Sequence, residues 1–334
     1  MAASTQPGEI VVEPNLEATN YDEEPDSAYG DEVGSYTTSL ASNVTDYKVE
    51  NNRRYHAYKE GSYVLPNDEK ESDRLDIMHK LTEVTLRGKL NLAPIPKDPQ
   101  RILDIGTGTG IWAIEMGDKY PKAEILGNDL SPIQPRWVPP NVRFEVDDVE
   151  NEWTYHQKFD YIHCRFMAFA IRDWPKLIRQ CFENTIPGGY VECIDLDIEV
   201  TSPDGTFTPD RAFYKFNREF LKISKATGME PCPGPFLEGW MKETGFEDVI
   251  AHKFVWPVGT WPADKHLKEI GAWNYLQVQE GLEAFWYALF TRQLGYSREE
   301  VDVLCAKVRA EMKDPKMHAM FHIYVSYGKK PGTK

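Results

Sequence analysis

The turn Asp104-Ile105-Gly106-Thr107-Gly108-Thr109-Gly110 constrains this 334-residue chain more than any other stretch. The apolar run Arg101–Ile105 ends in it, and a helical pattern opens at Ile111. Glycine takes backbone conformations closed to other residues and lets a ligand approach the main chain. A strand, a glycine turn and a helix N-terminus with free N–H groups make a ligand-binding corner in parallel α/β sheets. Residues 123–130, 142–147, 159–164 and 190–200 read as further strands. Residues 111–120 and Trp174–Asn184 read as helices, the second stopped by Pro187-Gly188-Gly189. This alternation predicts right-handed crossovers and a doubly wound, mostly parallel sheet with helices on both faces.

A glycine turn alone suits several nucleotides. Here Ile111 stands where the dinucleotide fingerprint has its third glycine, which disfavours NAD and FAD. No Gly-Lys-Ser/Thr ending follows, so the turn is not a P-loop. Asp129, in Gly127-Asn128-Asp129-Leu130, ends the second strand, where a carboxylate can accept both hydroxyls of a ribose. Asp147-Asp148-Val149 ends the third. A carboxylate there can take the exocyclic amine of adenine, with Asp148 preferred, Asp147 as its helper and the Val149 N–H on the ring. Asp104 reads as orienting the glycine turn through its backbone N–H groups.

The net charge of −15 is uneven. Eleven acidic residues against Lys48 alone fall within residues 1–50 and carry −10 of it. Residues 1–45 lack apolar periodicity and read as a disordered acidic tail. An acidic chain is a poor match for phosphate backbones, so no direct nucleic-acid partner is expected. Five cysteines without a Cys-x-x-Cys pair call for no metal. With no leader-like start and no long apolar run, neither secretion nor a membrane is expected, and the expectation is a cytoplasmic protein, with the nucleus also open.

Residues 46–98 form a helical N-terminal cover, with a helix over 73–90 and His56, Tyr58 and Tyr63 as lid candidates. Residues 99–204 form the core. Residues 205–330 are mainly helical, over 210–224, 235–244, 264–292 and 298–313, broken by strand-like runs at 249–256 and 321–327. These helices read as an insertion before the last strand, on the substrate side. Trp273, Tyr275, Trp286 and Tyr287 are candidates to line an acceptor pocket.

The order Asp-x-Gly-x-Gly-x-Gly, then Asp129, then Asp148, resembles class I S-adenosylmethionine-dependent methyltransferases. Within them the chain is most similar to the fungal LaeA-like group, which includes a velvet-associated regulator of secondary metabolism. The resemblance rests on Arg54-Tyr55-His56-Ala57-Tyr58, on residues 106–115, on Asp129-Leu130-Ser131-Pro132-Ile133-Gln134-Pro135, and on His318-Ala319 with His322-Ile323-Tyr324. It implies a seven-stranded sheet with the last strand antiparallel, and S-adenosylmethionine as cofactor, bound by Asp104, Gly106, Thr107, Gly108, Gly110, Asp129, Leu130, Asp147, Asp148, Val149, Arg165 and Tyr63. It places His163 and Arg165 where the methionine part of the cofactor sits, which makes them, with His56 and Tyr58, the catalytic candidates. Asp147-Asp148-Val149-Glu150 and His163-Cys164-Arg165-Phe166 depart from the regulator and imply a paralogue. The expected activity is transfer of a methyl group to an O or N acceptor, a small molecule of fungal secondary metabolism. The alternatives are a regulator working with a velvet-type protein partner and non-methyl chemistry on the same fold.

Overall fold

The computed structural model describes residues 47–50, 53–56 and 65–332. The expectations for residues 1–45, and for Tyr58 and Tyr63, lie outside them.

Strands β1 (Lys48–Glu50) and β2 (Arg53–Tyr55) pair as an antiparallel hairpin. Helix α1 (Glu69–Thr85) follows. Then come β3 (Arg101–Ile105), α2 (Ile111–Lys119), β4 (Glu124–Asp129), β5 (Val142–Val146), β6 (Phe159–Arg165), α3 (Trp174–Asn184) and β7 (Thr185–Thr201). The rest is α4 (Ala212–Ala226), α5 (Leu237–Thr244), β8 (Glu247–Pro257), α6 (Lys265–Trp286), α7 (Arg298–Met312) and β9 (Met320–Lys329).

Among the described residues the main sheet has seven strands in the order β5-β4-β3-β6-β7-β9-β8. Strands β3 to β7 run parallel, and β9 lies antiparallel to both β7 and β8. This is the expected doubly wound sheet with an antiparallel last strand. The central strands are apolar on both faces, as burial between helix layers demands: Ile102, Leu103 and Ile105 on β3 and Tyr161, Ile162 and Cys164 on β6 are all buried. The strand order reverses at β3 and β6, and the crevice outside their carboxyl ends is where ligands bind such sheets.

Several boundaries differ from the sequence expectation, those of α1, β7 and α6 most. Helix α1 starts at Glu69, four residues early, because the Asp68 carboxylate accepts the Glu71 N–H as an N-cap. Strand β7 runs straight through Pro187-Gly188-Gly189, which make a bulge: Thr185 pairs with Phe159, and Tyr190 with Tyr161. Helix α6 passes at Tyr287 into a π-helical turn, Tyr287–Thr291. Of the helices past residue 205, α4, α6 and α7 share one apolar core with α1, built on Phe213, Phe216, Val278, Leu282, Val301 and Val308.

Candidate functional site

The glycine turn is held open from below. Asp104 points into the protein, where its Oδ2 accepts the Thr107 hydroxyl at 2.6 Å and its Oδ1 accepts from His163 Nδ1 at 2.7 Å. Gly106 sits at φ 62°, the left-handed region, and a Cβ there would overlap the Met167 thioether. Asp129 closes the turn from the side. Its Oδ2 accepts the Gly108 N–H at 2.9 Å and its Oδ1 the Ser131 N–H at 3.0 Å. Gln134 braces the same corner by donating to the carbonyls of Gly108, at 2.7 Å, and Ser131, at 3.0 Å. The run from Asp129 to Pro135 is thus the outer wall of the turn.

Above the turn lies a cleft of about 1040 Å³, partly open to solvent. Gly106, Thr107, Gly108, Asp129, Leu130, Asp147, Asp148 and Val149 line it, as do His56 and Arg165. Four carboxylates, those of Glu71, Asp129, Asp147 and Asp148, face it against one guanidinium, that of Arg165. The Asp129 carboxylate is reachable from the cleft, yet the surrounding protein raises its pKa above the usual carboxylate value, against the N–H groups of Gly108 and Ser131. Asp147 Oδ1 accepts the Asp148 N–H at 2.8 Å, so the two carboxylates are set by one local turn.

Arg165 is aimed by a relay through two helices. Its guanidinium donates to His79 Nδ1 on α1 at 3.0 Å, and His79 Nε2 lies 3.1 Å from Glu115 on α2. Burial, helped by the nearby Arg165 charge, pulls the His79 pKa down to about 3, so the ring is neutral near pH 7. A neutral ring that accepts from arginine on Nδ1 must donate from Nε2, which fixes the tautomer.

Three expected site residues are corrected by their surroundings. His163 does not reach the cleft. It is fully buried and stacks on the Trp112 indole, centroids 3.8 Å apart and planes within 6°, so no acceptor can meet it. Asp104 is turned away from the cleft by its bonds to Thr107 and His163. Gly110 caps α2, has Phe144 against its Cα and does not line the cleft.

The expected N-terminal lid reaches the cleft through His56, but sequence reasoning missed Leu65, Asn67, Glu71 and Leu75 beside it. Asn67-Asp68 ahead of an apolar-periodic run is an N-cap signal that places those residues at a helix mouth. It also missed Phe166, Met167, Ala170 and Ile171 after β6, for which no motif speaks.

A second cavity, of about 860 Å³, adjoins the first and shares Leu65, Leu75 and Phe166 with it. It lies between β7, α4 and α6. Of the expected aromatic set only Trp286 lines it. Tyr275 faces a separate groove, and the Tyr287 hydroxyl bonds Asp302.

Residues 77–251 match the family model described as a methyltransferase domain. The chain is 46% identical over 301 residues to the methyltransferase pytC of Aspergillus terreus, covering 90% of this chain and 93% of that protein. It is 38% identical to the secondary metabolism regulator LAE1 of Cochliobolus heterostrophus, over 85% of this chain and 94% of that one. It is 35% identical to the protein-methionine methyltransferase laeA of Emericella nidulans, over 85% and 77%. The chain belongs to the methyltransferase-domain family, in its fungal LaeA-like branch, and is an S-adenosylmethionine-dependent methyltransferase.

Proposed function

We propose that this chain methylates a small molecule, with S-adenosylmethionine in the cleft over the glycine turn and the acceptor beside it. The observation that carries the cofactor assignment is the charge of the cleft. With Glu71 paired to Arg74, the carboxylates of Asp129, Asp147 and Asp148 against one guanidinium would repel the phosphates of a dinucleotide or a nucleoside triphosphate, and suit a ribose, an adenine and a sulfonium cation.

The residues fit that group. Asp129 takes the ribose hydroxyls, because each of its oxygens keeps a lone pair after bonding the turn. Asp148, steadied by Asp147, takes the adenine amine beside the Val149 N–H. The bare backbone of Gly106 and Gly108 admits the nucleoside closely, and Arg165 pairs the carboxylate of the methionine part. Bound S-adenosylmethionine supplies a methyl group on a sulfur that leaves with the bonding electron pair. What remains for the protein is to align the acceptor and exclude water. Leu65, Phe166 and Met167 wall the cleft for that purpose. Among the described residues His56 is the one imidazole lining the cleft, and it is the candidate to receive a proton from an acceptor that carries one.

The Emericella nidulans relative is named for methylating protein methionine, and the Cochliobolus heterostrophus relative as a regulator of secondary metabolism. A regulatory role with a velvet-type partner is the second reading for this chain. The apolar and aromatic lining of the second cavity favours the first. Calorimetry with S-adenosylhomocysteine, NAD and ATP tests the cofactor: only the first should bind. Release of S-adenosylhomocysteine on adding a small-molecule extract of the host, and none on adding its protein fraction, tests the acceptor. A velvet-type protein recovered by pull-down, with activity only in its presence, would favour the regulatory reading.

A further inference from the structure

We propose that the second cavity is the acceptor site, and that it selects an uncharged, largely apolar small molecule admitted to the methyl group through a neck of Leu65, Leu75 and Phe166. The proposal rests on the methyl-transfer reading of the cleft and adds the chemical class of the acceptor.

The lining decides the class. Only three polar side chains, Arg74, Asn217 and Gln277, face the second cavity among the described residues, and each is occupied within the protein. Asn217 donates to the Ile198 carbonyl at 2.8 Å and accepts the Val200 N–H at 3.0 Å. Gln277 donates to Asn274 at 2.9 Å and accepts from Arg74 at 3.2 Å. Arg74 grips both oxygens of the Glu71 carboxylate, at 2.9 and 2.6 Å, while the Phe285 ring lies 4.9 Å from its guanidinium carbon. The rest of the wall is apolar, with Phe213, Phe216, Phe220 and Trp286 prominent in it. A charged ligand would lose its hydration here and gain no partner, a cost that no dispersion contact offsets. An apolar one gains from every square ångström it covers.

The neck is built under strain. Phe166 has φ 57°, a region that bulky residues avoid, and it is pinned there by its N–H bond to the Ile194 carbonyl at 2.9 Å. Such outliers persist where the surroundings over-determine them, and they cluster at ligand clamps. The consequence here is that the residue after Arg165 contributes to the walls of both cavities. The Glu71–Arg74 pair straddles the same boundary, with Glu71 on the cleft side and Arg74 on the apolar side. The Arg74 charge on the acceptor side is thereby answered within the protein by the Glu71 carboxylate on the cofactor side.

The test uses the full chain saturated with S-adenosylhomocysteine and two fluorescent probes of one shape: N-phenyl-1-naphthylamine, which is neutral, and 8-anilinonaphthalene-1-sulfonate, which carries a charge. The neutral probe should bind saturably at one site, at least about tenfold tighter than the sulfonate. Val278→Trp and Ile198→Trp, which fill the cavity, should each weaken the neutral probe at least about tenfold, with S-adenosylhomocysteine affinity held within about twofold. Equal binding of the two probes overturns the proposal, as does undiminished probe binding in both variants. If a variant does not fold, the comparison of the two probes on the unmodified chain still decides. Absence of S-adenosylhomocysteine binding is a different failure, and it overturns the methyl-transfer reading itself.

Discussion

One carboxylate, that of Asp104, takes His163 on one oxygen and Thr107 on the other, and so ties strand β6 to the glycine turn. His163 is in turn clamped by the Trp112 indole at the start of α2. Replacing His163 with Ala should therefore act on stability first. It opens a cavity under Trp112 and strips a buried carboxylate of a donor, together costing about 3 kcal/mol. Denaturant unfolding measures this. A variant as stable as the parent chain would show that the triangle of Asp104, His163 and Trp112 holds nothing.

Gly106→Ala tests the turn. The φ of 62° and the overlap of a new Cβ with Met167 must push the loop or the thioether into the cleft. Affinity for S-adenosylhomocysteine, measured by calorimetry, should fall at least about tenfold. Asp129→Ala should do the same by a different route, through lost ribose contacts and a freed Gly108 N–H. Parental affinity in both variants would remove the cofactor site from this corner.

The pH dependence of stability has a definite sign. Burial pushes the Glu192 carboxyl up to about 7, although it accepts the N–H groups of Leu92 and Ala93. Asp195 is likewise raised to about 7 by burial. A carboxyl whose folded pKa lies above its unfolded value stabilises the fold at low pH, and that contribution is lost as pH rises through the folded pKa. Stability should thus decline between about pH 4.5 and pH 7, by at most about 3 kcal/mol for Glu192 alone. Glu192→Gln keeps an oxygen for both N–H groups and should flatten that slope in melting curves, leaving the part due to Asp195. An unchanged slope would mean that Glu192 is ionised in the fold.

Arg74→Met should destabilise more than its partner's removal does. It leaves the Glu71 carboxylate buried and unpaired, a loss of about 3–5 kcal/mol. Adding Glu71→Gln to Arg74→Met should restore much of the loss, because the stranded charge is then gone. Chemical denaturation of the two single variants and the double variant reads the coupling directly.

Much of this was legible in the chain itself, and what was not has physical reasons. The strands from Arg101 to Arg165 announce themselves because buried parallel strands are continuous apolar runs, and the glycine turn because no other residue type does its work. The carboxylates at 129 and 148 could be placed because strand ends in this topology converge on one edge. His163 misled, since a histidine two residues before an arginine at a strand end reads the same whether it faces the crevice or the core. The two share a face of β6, but His163 lies deeper in the strand, against Trp112, while Arg165 ends it and reaches the cleft. The second cavity was invisible because its walls come from β7, α4 and α6, whose mutual packing no local pattern encodes. Pro187-Gly188-Gly189 read as a stop, whereas backbone pairing with β6 and β9 carried the strand past it.

Strand β9 has one more consequence. It lies between β7 and β8, although Met320–Lys329 follows both of them in the chain. Until those residues leave the ribosome, β7 has an open edge and β8 has no place to dock, so the nascent molecule displays unpaired strand edges. A truncation before Met320 should leave an unfinished sheet whose bare edges stick to their neighbours.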